Sequence, residues 1–326
     1  MDNAKGYKAF KPGMICRDKQ YAENTDYEEV GGKICEKGMM HYCVNPFDVL
    51  NFYDLVDESG KFSDFAEVKA LDQPISGSDG KFATKKLHIG AKLSFAGFIK
   101  ACIDYTKEQT IVNMPKSDVT TGNSAQIGSS GDSAKIGSSG NYAQIGSSGD
   151  YAQIGSSGYS AKIGSSGDYA QIGSSGDSAK IGSSGYSAQI GSSGYSAKIG
   201  SSGYSAQIGS SGDYAQIGSS GDSAQIGSSG DSAKIGSSGD SAQIGSSGDY
   251  AQIDSTGVDS VICCAGHGCT VKAKIGSWIT LAEWEYSEEK GRSVPRCVKT
   301  EYVDGENIKP DTWYQLKNGE FVEVNR

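Results

Sequence analysis

Apolar residues recur every nine positions through the middle of the chain. Ile occupies every ninth position from Ile127 to Ile253, and Ala lies two residues before each of them. The unit Gly-Asn/Asp/Tyr-Ser/Tyr-Ala-Gln/Lys-Ile-Gly-Ser-Ser repeats fifteen times over residues 122–253. The substitutions fall on polar positions, whereas the two apolar positions do not vary. Close packing is the simplest constraint that would hold Ala and Ile in this way.

Each unit predicts a strand followed by a turn. In the segment Tyr-Ala-Gln-Ile-Gly, alternation places Ala152 and Ile154 on one side and Tyr151 and Gln153 on the other. The following Ser-Ser-Gly-Asp/Tyr has the residues of a turn. One strand and one turn leave the apolar side uncovered, so the units must stack on each other. The repeat therefore predicts a β-solenoid.

The number of sides of the solenoid stays open between two and three. Two units per coil give a flattened β-roll of 18 residues per coil, and three give a coil of 27 residues. At roughly 4.8 Å per coil, seven and a half two-sided coils form a rod on the order of 36 Å long. Lys replaces Gln five times, and four of the five lie in odd-numbered units, which favours two units per coil. These lysines are Lys135, Lys162, Lys180, Lys198 and Lys234.

Disorder is the alternative for this stretch, because Gly and Ser dominate it and such compositions usually form flexible linkers. A linker, however, has no reason to keep Ile in register through fifteen units. The prediction is therefore a mainly β protein with three parts. These are a small α+β capping domain (1–120), the solenoid (121–275) and an antiparallel β cap (276–326).

Shorter patterns predict the elements of the two flanking parts. Residues 7–10, 65–71 and 82–89 resemble strands, Asn45-Pro46 marks a helix start, and residues 95–105 have helical spacing. After the repeats, Ile262 and Val271 keep the nine-residue step while the polar pattern decays. Strands are then predicted over 278–286, 298–303 and 313–324, with turns at Asp304-Gly305 and Asn318-Gly319.

Charge and hydropathy exclude several partners. The 326 residues carry a net charge of −9 and contain no basic stripe, which argues against nucleic acid. Met1 to Lys5 lead into no apolar run, and no segment approaches 18 apolar residues. We expect a cytoplasmic protein, in the host cytoplasm if a phage encodes it, that does not bind membranes.

The cysteines invite a metal hypothesis that their spacing does not support. Cys263, Cys264, His267 and Cys269 are close in sequence, but no C-x₂-C pair is present and no second pair completes four ligands. Core packing is the better interpretation. The same holds for His41 beside Cys43. No metal and no cofactor are predicted.

Parts of the repeat are similar to known nonapeptide proteins. Gly128-Ser129-Ser130-Gly131 resembles the calcium-binding RTX repeat, but Ser133 or Tyr142 stands where that repeat has its Asp ligand. Ser-Ala-Gln-Ile-Gly resembles the rolls in the heads of trimeric autotransporter adhesins, whose export signal and membrane anchor are not recognisable here. An adhesin-like or virion component is therefore an alternative function.

The flanks carry a further resemblance. Residues 5–10 (Lys-Gly-Tyr-Lys-Ala-Phe), residues 41–46 (His-Tyr-Cys-Val-Asn-Pro) and residues 308–314 are similar to an uncharacterised phage and prophage family with Ser-Gly-rich nonapeptide arrays. The resemblance implies a phage context and supplies no activity. Residues 38–53 also loosely resemble the strand-then-helix segment of ADP-ribosyltransferases, with His41 and Glu67 as candidate residues. That enzyme is the second alternative.

The function predicted from the sequence is a non-enzymatic, rigid binding or structural module that binds a host protein and could inhibit it. A homo-oligomer is also expected, since a core of only Ala and Ile is thin. Tyrosine is enriched at protein interfaces, so the tyrosines of the solenoid face are the candidate binding residues. The competing interpretation is that they stack into ladders that stiffen the rod. They are Tyr142, Tyr151, Tyr159, Tyr169, Tyr186, Tyr195, Tyr204, Tyr214 and Tyr250.

Overall fold

The computed structural model confirms a mainly β protein. A β-solenoid of about nine turns spans residues 126–281, with sheet regions before and after it. Among the residues described, no helix is long and apolar enough to cross a membrane. The structure describes residues 4–31, 38–57, 61–77, 80–109 and 117–325.

The N-terminal domain is an antiparallel sheet with one α-helix packed on it. Its elements are β1 (Lys5–Phe10), β2 (Ile15–Cys16), β3 (Lys19–Gln20), β4 (Thr25–Glu28), β5 (Met40–Cys43), the 3₁₀ helix η1 (Pro46–Asn51), β6 (Asp64–Ala70), β7 (Ile75–Ser76), β8 (Lys81–Thr84), β9 (Lys86–Leu93) and α1 (Phe95–Gln109). The strand order is β4-β9-β6-β1-β5-β8-β7, and β2 and β3 form a separate hairpin. The ring of Phe98 in α1 stacks on Phe65 of β6 at 3.7 Å between centroids, which fixes the helix to the sheet.

Most of the elements predicted from short sequence patterns in this domain are confirmed. Asn45 does cap a helix, with its Oδ1 accepting from the Phe47 N–H at 3.0 Å, although the helix is the short η1. The single strand predicted over residues 82–89 is wrong, because the chain turns between β8 and β9. Thr84 makes this turn: its Oγ1 donates to the Lys86 carbonyl and accepts from the Lys86 N–H.

The solenoid has two sides. Residues pair with those eighteen positions later, as Ile154 does with Ile172, so the coil holds two units and the three-sided alternative is wrong. Two parallel sheets result, which take alternate strands. The strands are β10 (Ser117–Thr120), β11 (Gln126–Ser129), β12 (Lys135–Ser138), β13 (Gln144–Ser147), β14 (Gln153–Ser156), β15 (Lys162–Ser165), β16 (Gln171–Ser174), β17 (Lys180–Ser183), β18 (Gln189–Ser192), β19 (Lys198–Ser201), β20 (Gln207–Ser210), β21 (Gln216–Ser219), β22 (Gln225–Ser228), β23 (Lys234–Ser237), β24 (Gln243–Ser246), β25 (Gln252–Ser255), β26 (Val261–Cys264), β27 (Thr270–Lys272) and β28 (Trp278–Ser287).

The interior contains the Ala and Ile of each unit, as the repeat predicted. Ala152 is fully buried and Ile154 is 4% exposed. The first Ser of each Ser-Ser pair also points inward, so placing it in the turn was wrong. Ser156 ends its strand two residues after Ile154 and is buried on the same side. The strand is therefore Gln-Ile-Gly-Ser, and the turn begins one residue later than predicted.

The glycine of each turn is required by the stacking of coils. A Cβ on Gly158 would lie 1.9 Å from the carbonyl oxygen of Gly140 in the previous coil. The carboxylate of the next residue links successive coils. Asp150 Oδ1, for example, accepts from the Asp168 N–H at 2.8 Å. Asp at the position directly after the turn glycine thus accepts a hydrogen bond from a backbone N–H of the following coil. This explains why Asp occurs there so often.

The C-terminal part continues both sheets and then turns antiparallel. β28 pairs in parallel with β26 and antiparallel with β29 (Arg292–Tyr302), while β30 (Tyr314–Lys317) follows β27 and pairs with β31 (Glu320–Glu323). Asn318 and Gly319 both have positive φ in the β30–β31 turn, as an Asn-Gly hairpin requires. Ile279 and Leu316 join the solenoid core, so the cap and the rod share one apolar interior.

Candidate functional site

The rod has two outward faces made of the same local sequence. We call the outward surface of the sheet β11 to β27 face A and that of the sheet β10 to β28 face B. On both, the Gln or Lys and the Gly of each strand point outward. Gly164 and Gly182 on face A are buried, whereas Gly155 and Gly173 on face B are exposed. One face is therefore covered and the other is open.

The N-terminal domain covers face A, and a row of long polar side chains fastens η1 to it. Lys162 forms an ion pair with Asp48 at 2.6 Å, with both side chains less than a fifth exposed. The next two ammonium groups donate to carbonyl oxygens of η1, Lys180 to Phe47 at 3.2 Å and Lys198 to Leu50 at 2.9 Å. These contacts satisfy backbone acceptors that a 3₁₀ helix leaves free.

Two groups of this interface titrate outside their ordinary range. Burial lowers the pKa of Lys180 to about 8, although the Asp48 carboxylate acts in the opposite direction. Burial acts to raise the pKa of Asp54, but the hydrogen bond from Gln216 at 2.8 Å and the charge of Lys198 outweigh it and lower that pKa. The interface therefore depends on charges that are held away from water.

Glycine lets the helix approach closely. α1 lies over the glycine row of face A with its apolar side. A Cβ on Gly200 would lie 2.3 Å from Ile99 Cδ1, and one on Gly218 would lie 2.8 Å from both Phe62 Cε1 and Phe95 Cζ. Any side chain in these positions would force the helix outward.

The domain lies along the side of the rod. The expectation that residues 1–120 cap the end of the solenoid is not met, because α1 contacts β13, β15, β17 and β19, which are internal strands of face A. The reason is that the apolar side of α1 has a matching glycine row only on a flat face. The predicted boundaries of the three parts stay a prediction.

The lysine pattern in the sequence was the signal for this interface. Lys162, Lys180, Lys198 and Lys234 fall in odd-numbered units, and all odd-numbered units lie on face A. In the sequence this bias served only to count the sides of the coil. The odd numbering of the lysine-bearing units also marks face A as the face that the N-terminal domain covers.

Face B carries an uninterrupted neutral surface. Six consecutive strands present Gln outward, from Gln153 to Gln243, beside a glycine row in which an added Cβ would meet nothing within 4 Å. Lys135 precedes these strands and the exposed Val261 follows them. A groove of about 1320 Å³ runs along the glycine row over eight strands, β12 to β26. No described residue covers the six glycines from Gly155 to Gly245.

The nine candidate tyrosines lie on the two edges of the rod and not on one face. These residues are about half exposed, from 47% to 58%. A tyrosine that directly precedes Ala, such as Tyr151, was expected to be the first strand residue. The strands begin two residues later, at Gln or Lys, so these tyrosines belong to the turn, as was predicted for those that directly follow Gly, such as Tyr186. Turns that enter face A carry Tyr142, Tyr159, Tyr195, Tyr214 and Tyr250, and those that enter face B carry Tyr151, Tyr169, Tyr186 and Tyr204.

Two forms of turn decide how the rings meet. Where Tyr is the second turn residue its backbone is left-handed, as in Tyr151 and Tyr169, whose rings stack at 5.1 Å. In the other form of turn Tyr precedes Ser, as in Tyr186 and Tyr204, whose rings also stack, with 5.4 Å between their centroids. The rings of Tyr195 and Tyr214, which come from unlike turns, are tilted by 50°. Short ladders of the kind expected for stiffening do occur, but only between coils whose turns have the same form.

The two residues considered for an enzyme are placed in different cavities. His41 on β5 lines a cavity of about 250 Å³ together with Lys8 and Arg17. Glu67 on β6 is exposed and lines another cavity with Tyr105 and Glu108. The structure therefore does not bring His41 and Glu67 to one pocket.

The cysteine cluster divides between core and surface. Cys264 and Cys269 are buried in the solenoid core, as the core interpretation predicted. Cys263 is exposed in the outward position that Gly245 has one coil earlier. Alternation along the strand therefore directs Cys263 and Cys264 to opposite sides of the sheet.

Comparison with known proteins identifies one part of the chain. Residues 4–101 match a family described as a domain of unknown function (DUF7666). The match covers the N-terminal domain up to the first half of α1 and brings no activity with it. No curated protein and no solved structure matches the chain. The phage context stays a prediction.

Proposed function

We propose that this chain is a non-enzymatic, rigid module that acts by binding, and that face B is its contact surface. The observation that supports this is internal to the molecule. Face A and face B have the same Ile-Gly-Ser-Ser units, and on face A the glycine row is in use as a docking surface for α1. The same row on face B has the same shape and no occupant among the described residues.

The chemistry of face B favours a neutral partner surface. Six Gln side chains replace the lysines that meet Asp48 and the η1 carbonyls on face A. Each primary amide offers two donors and one acceptor oxygen without a charge to compensate. A partner that approaches this face needs amides or hydroxyls in register with the coils, and no carboxylates.

A second copy of this chain fits these requirements. The Gln row is a ridge and the Gly row is a groove, so two face B surfaces related by a two-fold axis place each ridge in the other's groove. Both surfaces have the same spacing of roughly 4.8 Å per coil, so the contacts stay in register along the rod. Stacked amides between two neutral sheets are a stable arrangement in dry β-sheet interfaces.

The size of face B implies a weak dimer. Eight strands at about 4.8 Å spacing and four residues of about 3.3 Å each give roughly 34 by 13 Å, or about 450 Å² per copy. Interfaces that bury about 900 Å² in total belong to the transient class. We therefore expect dissociation in the micromolar range, with a structural role at high local concentration.

Charge substitution tests this proposal. Gln189→Lys with Gln207→Lys places two ammonium groups at the centre of face B, in a slot where Lys occurs naturally on face A, so folding should be retained. Sedimentation equilibrium of the wild type should give a mass that rises from 34.0 kDa towards twice that value as concentration increases. The double variant should stay at the monomer mass.

Controls separate face B from the edges of the rod. Tyr151→Ser with Tyr169→Ser changes one edge only and should leave dimerisation unchanged. A wild type that remains monomeric at several hundred micromolar would refute the proposal, as would a lysine variant that dimerises like the wild type. Three functions stay predictions: binding of a host protein, an ADP-ribosyltransferase activity and a virion role. Binding of a host protein would be tested by substituting the tyrosines on the edges of the rod.

A further inference from the structure

The cavity beside His41 has an unusual set of charges. It lies in the N-terminal domain, away from face B, and has a volume of about 250 Å³. Its charged lining residues are all basic in a chain of net charge −9, and no Asp or Glu of the described residues lines it. The lining residues that matter here are Lys8, Cys16, Arg17, Tyr53 and Lys81.

Lys8 is buried without a carboxylate. Only 6% of the residue is exposed, and its Nζ donates to the His41 carbonyl oxygen at 2.9 Å. Its other neighbours include the Phe10 ring at 5.5 Å, the Tyr21 ring at 5.8 Å and the thiol of Cys16. Burial lowers the pKa of Lys8. An ammonium group in such a place is costly unless an anion neutralises it.

Asp64, the buried carboxylate among the described residues of the N-terminal domain, already has partners. Asp64 Oδ2 accepts from the backbone N–H groups of Gly13 and Met14, each at 2.8 Å, and its Oδ1 pairs with Lys92 at 2.6 Å. Asp64 thereby holds the loop that leads into the β2–β3 hairpin. No described carboxylate lies within ion-pair distance of Lys8 or Arg17.

The turn of the β2–β3 hairpin places Arg17 beside the cavity. Arg17 has φ 55°, the left-handed conformation that a two-residue hairpin turn uses. Tyr53 Oη donates to Cys16 Sγ at 2.9 Å and fixes the neighbouring residue. The hairpin thereby holds Arg17 among the residues that line the cavity.

We infer that this cavity binds a small oxyanion, a phosphate or carboxylate group, between the Lys8 ammonium and the Arg17 guanidinium, which both line it. The anion would supply the missing counter-charge, and guanidinium recognises both groups through paired hydrogen bonds. Phe52, Val49 and Tyr53 provide apolar walls for a short remainder of the ligand. The volume is below the range of about 300–1,000 Å³ for drug-sized ligands, so the ligand is small.

Titration of the full chain with simple anions tests this inference independently of dimerisation. Isothermal calorimetry and thermal melting are followed with sodium phosphate and with sodium acetate, each against sodium chloride at equal ionic strength. Saturable binding of either anion, with a matching rise in melting temperature, is expected. Phosphate alone would identify a phosphate ligand, and acetate alone a carboxylate ligand.

Variants locate the binding. Arg17→Gly suits the left-handed backbone and should fold, yet bind at least about tenfold more weakly through loss of a charge-assisted hydrogen bond. Lys8→Met should abolish binding and, without anion, melt no lower than the wild type. Lys69→Met, on the exposed side of β6, is the matched control and should bind normally. The inference fails if neither anion binds the wild type, or if Arg17→Gly binds like Lys69→Met.

Discussion

The pair Gly191 and Gly218 gives the sharpest test of the two-faced rod. Both glycines lie in the sequence Gln-Ile-Gly-Ser-Ser, one on face B and one on face A. Neither has a positive φ. Replacing each by Ala changes the strand in the same way, so any difference between the two variants arises from what lies outside the sheet.

The expected effects have opposite signs. At Gly191 an added Cβ meets nothing within 4 Å, so Ala should stabilise by roughly 0.5–1 kcal/mol, the usual gain over Gly within a strand. At Gly218 the Cβ would lie 2.8 Å from both Phe62 Cε1 and Phe95 Cζ, two rings that stack on each other at 4.5 Å. Overpacking of this kind costs about 1–3 kcal/mol, which exceeds the gain.

Urea unfolding followed by circular dichroism measures the difference. Gly191→Ala should unfold at a higher urea concentration than the wild type and Gly218→Ala at a lower one, with unchanged slopes. Gly218→Ala should cost less in a Phe62→Ala background than in the wild type, because one of the two rings that the added Cβ meets is then gone. Equal shifts for both glycine variants would refute the docking of α1 and η1 on face A alone.

Two further predictions concern buried charges. Because the pKa of Lys180 falls from 10.5 to about 8 on folding, the unfolded state binds more protons between these pH values, and stability should rise with pH by about 3 kcal/mol across this window. Lys180→Gln introduces the residue that face A already has at Gln216, and it should show a smaller slope than the wild type in urea titrations at pH 7.5 to 10, because burial lowers the pKa of Lys198 as well. An unchanged slope would contradict the assignment. Asp254 and Lys272 form a buried pair at 2.8 Å. Asp254→Asn should cost about 3–5 kcal/mol in the same assay, whereas removing both charges should cost less.

Much of the architecture followed from the repeat alone. Ile154 and its equivalents had to be buried because only packing keeps an apolar residue in register through fifteen units. The Asn318-Gly319 turn and the Asn45 cap were equally secure, since their backbone chemistry is complete within a few residues. Such features depend on short-range geometry, which the sequence contains directly.

The candidate binding surfaces could not be predicted from the sequence in the same way. Tyr151 could be recognised as exposed, but its place in the turn depends on the strand beginning at Gln153, two residues later than the alternation suggested. The Lys8 cavity assembles β1, the β2–β3 hairpin and β5, whose association no local pattern encodes.

The difference between face A and face B was decided by tertiary structure, and the sequence marks it only through the bias of Lys towards odd-numbered units. Gly191 and Gly218 have identical neighbours in sequence, yet one is exposed and the other is buried beneath Phe62 and Phe95. The repeat determines that every unit presents Gln or Lys and Gly outward. Which of those rows is covered depends on the domain that α1 and η1 belong to, because contact between distant segments is a property of the folded chain and not of any nine residues.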